Sequence, residues 1–242
     1  MLESLKDFFL GDTVRRNDYL FDTPHLVTLI IVVFITISLI IVFKNKSKKQ
    51  KDVFLWVVWS ILLAFEILSR LINLIKGKDL ITTLLPFHFC SIMVWVFLFT
   101  IPIKNKHLYN ISAMGGLVAT TAFLLYPAVG FNVEVLKFSQ YYSVISHSLG
   151  FMLSVFVMAE GYTSFEWKNA WSICVFLVVV YAHSFLCNYI FYPGSNYMFY
   201  VDNPLPGNWG SLYVPFYIFA VVIYFLNFFV IYNLKQKRKI KR

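Results

Sequence analysis

Long apolar runs separated by short polar breaks make up most of this chain. They fall at about 24–43, 53–75, 81–103, 107–126, 140–159, 170–192 and 211–234. Each is close to the roughly 20 residues that a helix needs to cross a bilayer. The pattern predicts an all-α polytopic membrane protein, a bundle of seven transmembrane helices. Ahead of the first run, Leu2, Leu5, Phe8 and Phe9 recur at near-helical spacing until Gly11, which predicts a short interfacial helix within the segment 1–23. The chain reads as a single membrane domain over 1–242, with its spans in 24–234 and a basic tail at 235–242. Its start lacks the basic residues, short apolar core and small-residue cleavage site of a signal peptide, so the first run is expected to stay as a span.

Composition narrows the class further. With 59% apolar and 14% charged residues, the chain cannot present the surface of a soluble domain. A net charge of +9 would suggest nucleic acid if it were spread over a soluble surface, but the position of the basic residues excludes that partner. Fourteen of the 21 lysines and arginines fall in 44–52, 104–106, 160–169 and the tail; six fall in the N-terminal segment, 76–80 and 127–139. The richer side is expected to be cytoplasmic, which puts the N-terminus outside and the C-terminus inside a cell membrane. The tail reads as a topology anchor attracted to anionic lipid. The cysteines Cys90, Cys174 and Cys187 all lie in apolar runs, so no disulfide framework is expected, although a Cys90–Cys187 bridge stays open.

Against this background the polar residues inside the runs carry the information, because polar groups in hydrocarbon are costly and mark function. The segment Leu85-Pro86-Phe87-His88-Phe89-Cys90 places an imidazole and a thiol in the third run, and Pro86 predicts a bent or unwound helix there. His88, Cys90 and His147 lie seven to nine residues inside the outer ends of the third and fifth runs. That is a depth of roughly 10–14 Å at about 1.5 Å per residue. Glu66, Arg70, His183, Cys187 and Asn188 fall in the same outer half.

His88 and Cys90 are two apart and point to different sides of a regular helix. The better partner for Cys90 is His147, at similar depth, with Ser143 and Gly150 one turn to either side allowing close helix approach. The pair reads as nucleophile and base, or as a packed thiol and a hydrogen-bonded imidazole. Glu66 and Arg70, four apart with the acid first, form either a self-neutralising pair or an anion clamp oriented by the acid. The set His88, Cys90, His147, His183 and Cys187 lacks the local spacing of a metal site, so neither metal nor cofactor is expected. The segment 193–210, with its turn formers and aromatics, suits a lid at headgroup level or an ordinary aromatic belt.

These pieces resemble the YwaF-type bacterial integral membrane proteins, which are related to the eukaryotic transmembrane protein 164 acyltransferases. The resemblance rests on Phe21-x-x-Pro24-His25-Leu26, on Glu66, on Leu85-Pro86-x-His88-x-Cys90, on His147, and on Gly194-x-Asn196-Tyr197-Met198-Phe199 followed by Pro204. The chain departs from the family pattern at Ser148, where glycine is expected, and in a looser approach to the last span. The resemblance implies a seven-helix bundle and acyl transfer between phospholipids through a cysteine thioester, with Cys90 as nucleophile and His147 as its base. On that reading His88 orients the site or stabilises an oxyanion. Arg70, oriented by Glu66, holds the lipid phosphate, and Asn188, Asn196, Tyr197 and His183 line the substrate site. The competing expectation is a small-solute or lipid transporter or binding protein that uses the same pocket without covalent chemistry.

Overall fold

A computed structural model describes residues 2–16, 18–126 and 130–197, together with positions 222, 226, 229, 232 and 233. Among these residues the chain is helical, and a single backbone bridge, Arg15 to Val133, is its only extended pairing. Helix α1 spans Leu2–Leu10, α2 Thr23–Phe43 and α3 Lys48–Ile75. A short α4, Leu80–Leu84, precedes α5, Phe89–Ile103. Then come α6, Lys106–Leu125, α7, Phe138–Ala159, and α8, Ala170–Leu186, which is entered by a 3₁₀ turn and continues as a π-helical turn over Cys187–Phe191.

Five of these segments, 23–43, 48–75, 106–125, 138–159 and 167–191, are long and apolar enough to cross a membrane; α5 is apolar but shorter. The chain is therefore a multi-pass membrane protein. The expected seventh span, 211–234, lies outside the described residues except for five helical positions, as do the second half of the 193–210 loop and the basic tail.

Local sequence explains the boundaries. Asp22 caps α2 by accepting the amide N–H of His25 at 3.0 Å, and Pro24 occupies the first turn, where its missing N–H costs nothing. Helix α3 begins at Lys48, five residues before the apolar run, because Ser47 and Gln50 close a capping box inside the basic segment. The third run is broken where Pro86 predicts. Leu85 is extended at φ −90°, ψ 143°, as a residue before proline must be, and the helix resumes only at Phe89. A second proline, Pro102, removes an N–H from the last turn of α5 and so frees the carbonyl of Leu98. The indole N–H of Trp59 on α3 donates to that carbonyl at 2.9 Å and ties the two helices together.

Helix α2 is apolar all round and leaves Ile30, Phe34 and Ile41 mostly exposed, as a lipid-facing helix should. The opposite extreme is α6, buried by α5, α7 and α8 around Ala113 and Met114. Small residues permit this approach: a Cβ on Gly116 would sit 2.5 Å from Ser154 Oγ, and one on Gly150 2.8 Å from Thr120 Cγ2.

Alternating helix direction gives the bundle two ends. At the Asp22 end, Lys137 pairs with Asp7 at 2.5 Å and Arg16 with Asp22. His25, buried there, donates through Nε2 to the Leu124 carbonyl at 2.7 Å and so satisfies an orphan carbonyl at the end of α6. At the Lys51 end, Lys51 pairs with Glu160 at 2.6 Å, and the Tyr162 hydroxyl donates to Asp52 at 2.7 Å.

Candidate functional site

The break before α5 determines the setting of Cys90. Because the helix starts at Phe89, Cys90 sits in its first turn, and the amide N–H groups of Phe89, Cys90 and Ser91 have no carbonyl within the helix to bond. Ile92 is the first to find one, donating to His88 O at 2.9 Å. The thiol lies 3.7 Å from the Ala119 carbonyl on α6. All three cysteines are free thiols, so the Cys90–Cys187 bridge does not form.

Cys90 and His147 line one cavity, together with Leu62, Met93, Thr120, Ser146 and Gly150. It is tight, about 10 Å³, which is space for roughly one water. The ring of His147 stacks on Phe123 at 3.7 Å between centroids, and its Nδ1 lies 2.6 Å from the carbonyl of Ser143. A carbonyl can only accept, so Nδ1 carries the proton and Nε2 keeps the lone pair. Ser143 and Gly150, the small residues one turn to either side of His147, are buried against the neighbouring helices, as predicted, and Ser146 is buried beside them.

Glu66 and Arg70 pair as their spacing predicts, with Nη2 2.7 Å from Oε1. The angle is too poor for a hydrogen bond at that oxygen, and the other carboxylate oxygen accepts from the hydroxyl of Tyr142 on α7. The guanidinium lies over the ring of Trp95 on α5, 5.3 Å from its centroid. Arg70 Nε and Trp95 Nε1 are both buried without a hydrogen-bond partner among the described residues, so two donors remain between α3 and α5. Tyr142 was not singled out by sequence reasoning. Its position five residues before His147 in the same apolar run is the signal that could have found it.

The remaining predicted residues gather around the α8 terminus. His88 meets Tyr197 edge-on at 5.4 Å, while Phe87 stacks between His183 at 5.8 Å and Tyr197 at 4.7 Å. His183 also lies beside Cys187 Sγ, 3.7 Å from Nε2. Buried Asn188 donates to Tyr197 O at 2.8 Å and to Ser184 Oγ at 3.3 Å, and accepts from Tyr197 N at 2.7 Å and Ser195 Oγ at 2.9 Å. Its side-chain amide therefore holds the segment containing Asn196 and Tyr197 onto α8. The unwound start of α5 and this strapped loop are neighbours through Phe87 and His88. No group of three or more potential metal ligands occurs among the described residues.

Broken apolar helices, a thiol at a helix N-terminus and an imidazole of fixed tautomer in the same intramembrane cavity define a polytopic membrane protein with a buried polar site. The chain belongs to the TMEM164 family, whose family model matches residues 20–232. No curated protein and no solved structure matches it.

Proposed function

We propose that this protein is a phospholipid acyltransferase of the cell membrane that works through an acyl thioester on Cys90, in a seven-span bundle with the N-terminus outside and the C-terminus in the cytoplasm. The observation that carries the reading is the shared cavity of Cys90 and His147, with the lone pair of the imidazole on Nε2. In the first step Nε2 takes the thiol proton, sulfur attacks an ester carbonyl of the lipid and the C–O bond breaks. The proton passes from His147 to the departing lysophospholipid oxygen. In the second step His147 deprotonates an acceptor hydroxyl, which attacks the thioester and releases the Cys90 thiolate; the proton returns to sulfur. Water as acceptor would make the outcome hydrolysis.

The first-turn amides of α5, which have no carbonyl within the helix to bond, are the oxyanion donors best placed beside Cys90, and the helix N-terminus adds its positive pole. The sequence offers His88 for that role; the amides become visible only once the helix start is fixed. Arg70 Nε and the Trp95 indole N–H offer two further donors to a lipid oxygen, with Glu66 and Tyr142 orienting the guanidinium. His183, Tyr197 and Asn196 belong to the neighbouring cluster at the end of α8, beside the start of α5. Family membership supports the acyl-transfer class.

The test is mass spectrometry of the purified protein after incubation with phospholipid. A hydroxylamine-sensitive acyl adduct on Cys90 is expected. Lipid binding with no adduct would sink the thioester and leave a binding or transport protein.

A further inference from the structure

A second cavity lies at the Asp22 end, where α1, the end of α3 and the start of α7 meet. It has a volume of about 690 Å³. Its walls include Ser69, Asn73, Lys76, Lys78, Ser139 and Asp12, over an apolar lining contributed by Ile72 and Phe138. It stands apart from the Cys90 cavity but shares α3 and α7 with it. Tyr142 and Ser143 line it, and Ser143 O is the atom that holds His147 one turn away, about 6 Å along α7.

Two lysines of one turn line this cavity. Arg16 and Lys137 are neutralised by Asp22 and Asp7, whereas Lys76 and Lys78 make no ion pair among the described residues. The C-terminal pole of α3 accounts for one cation at Lys76. It does not account for a second lysine two residues on, turned back by Gly77 at φ 73° onto the same cavity. Partial burial and the like charge of Lys76 lower the pKa of the Lys78 ammonium from the ordinary lysine value, a cost that an anion placed between the two would relieve. Asn73, Ser69 and Ser139 add neutral donors for phosphate or glycerol oxygens, and Asp12 adds an acceptor for hydroxyl or amine hydrogens.

We propose that this cavity is the headgroup pocket of the protein, in which Lys76 and Lys78 hold the phosphate of a glycerophospholipid while its glycerol runs along Ser69 and Ser143 toward His147. The direction toward His147 rests on the acyl-transfer reading; the ligand chemistry does not. A phosphate held at the mouth of the cavity leaves the acyl esters on its inner side, against the apolar wall of Ile72 and Phe138.

The experiment is a competition assay on the full-length protein in uncharged detergent, in which phosphatidylglycerol, diacylglycerol and glycerol 1-phosphate each displace a fluorescent phospholipid. Wild type should prefer phosphatidylglycerol to diacylglycerol by about tenfold or more. Lys76→Gln/Lys78→Gln should remove that preference, and Lys76→Arg/Lys78→Arg should keep it. Lys104→Gln/Lys106→Gln, at the opposite end of the bundle, should also keep it. A glutamine pair that retains the preference, or an opposite-end pair that loses it equally, overturns the proposal. Glycerol 1-phosphate binding as tightly as the lipid would reassign the pocket to a soluble phosphate compound and overturn the lipid assignment. Acylation of wild-type Cys90 by a headgroup-free nitrophenyl ester is scored separately. Its absence, with the loss in the glutamine pair intact, removes the acyl-transfer reading and leaves the pocket standing.

Discussion

The Nδ1–H of His147 donates to the carbonyl oxygen of Ser143, one turn back on α7, at 2.6 Å, and that bond decides what the imidazole can do. With Nδ1 committed, Nε2 is the only ring nitrogen able to take a proton in the cavity that Cys90 lines. His147→Ala should slow formation of the Cys90 acyl adduct by about 10²- to 10⁴-fold, the usual worth of a positioned base. Cys90→Ser should form no hydroxylamine-sensitive adduct. Time-resolved intact-protein mass spectrometry reads both, and adduct formation at wild-type rate in His147→Ala would exclude the base role.

Close approach of α6 and α7 depends on Gly150. A methyl there would lie 2.8 Å from Thr120 Cγ2, inside the wall of the Cys90 cavity. Gly150→Ala should therefore cost about 1–3 kcal/mol through overpacking. Adding Thr120→Ser removes the opposing methyl and should recover most of that loss. Thermal unfolding of the two variants in detergent checks the pairing. Equal stabilities for the single and double variants would mean that the helices part elsewhere.

Asn188 makes four hydrogen bonds to the segment that follows α8 and to its own helix, from a fully buried position. Asn188→Ala deletes all of them, leaves the Tyr197 N–H to find another partner, and leaves the Tyr197 C=O with the Ser184 hydroxyl alone, at 3.1 Å. The α8 helix should survive while the segment around Tyr197 opens, because the lost bonds lie almost entirely between them. Limited proteolysis should cut the variant after Tyr192 or Tyr197 under conditions that leave wild type intact.

Much of this was legible in the residues, and the reasons for what was not are local. Pro86 marked the break in the third run because a proline cannot accept a helical neighbour four residues back, and the break lies over 85–88. The consequence, a helix start that places Cys90 in the first turn, depends on which residue resumes helical dihedrals, and composition does not encode that. The i,i+4 spacing of Glu66 and Arg70 was enough to predict their pair. Tyr142 was not foreseen as the third member because it joins from α7, and cross-helix register is set by Gly150 and Ser143 packing rather than by periodicity in either helix. His25 appeared in the sequence only as part of a resemblance; its work, capping Leu124 at the end of α6, follows from a helix terminus that must satisfy its carbonyls. Capping likewise moved the start of α3 into the basic segment, which a hydropathy pattern reads as outside the span.

The Tyr142, Glu66 and Arg70 network offers the sharpest energetic test, because a buried charge and its partners respond differently to single and paired deletions. The Glu66 side chain is 3% exposed and that of Arg70 15%. Arg70→Met would leave the carboxylate with only the Tyr142 hydroxyl, and removing one partner of a buried pair costs about 3–5 kcal/mol. Tyr142→Phe removes a neutral donor and should cost less, about 1–3 kcal/mol. Glu66→Gln/Arg70→Met removes both charges, so the double variant should be more stable than Arg70→Met alone. Thermal unfolding of all three in one detergent gives the order: Arg70→Met lowest, the double variant and Tyr142→Phe above it. If Arg70→Met unfolds with wild type, Glu66 is not held as an anion by Arg70, and the two donors left on Arg70 and Trp95 cannot be read as oriented toward a lipid oxygen.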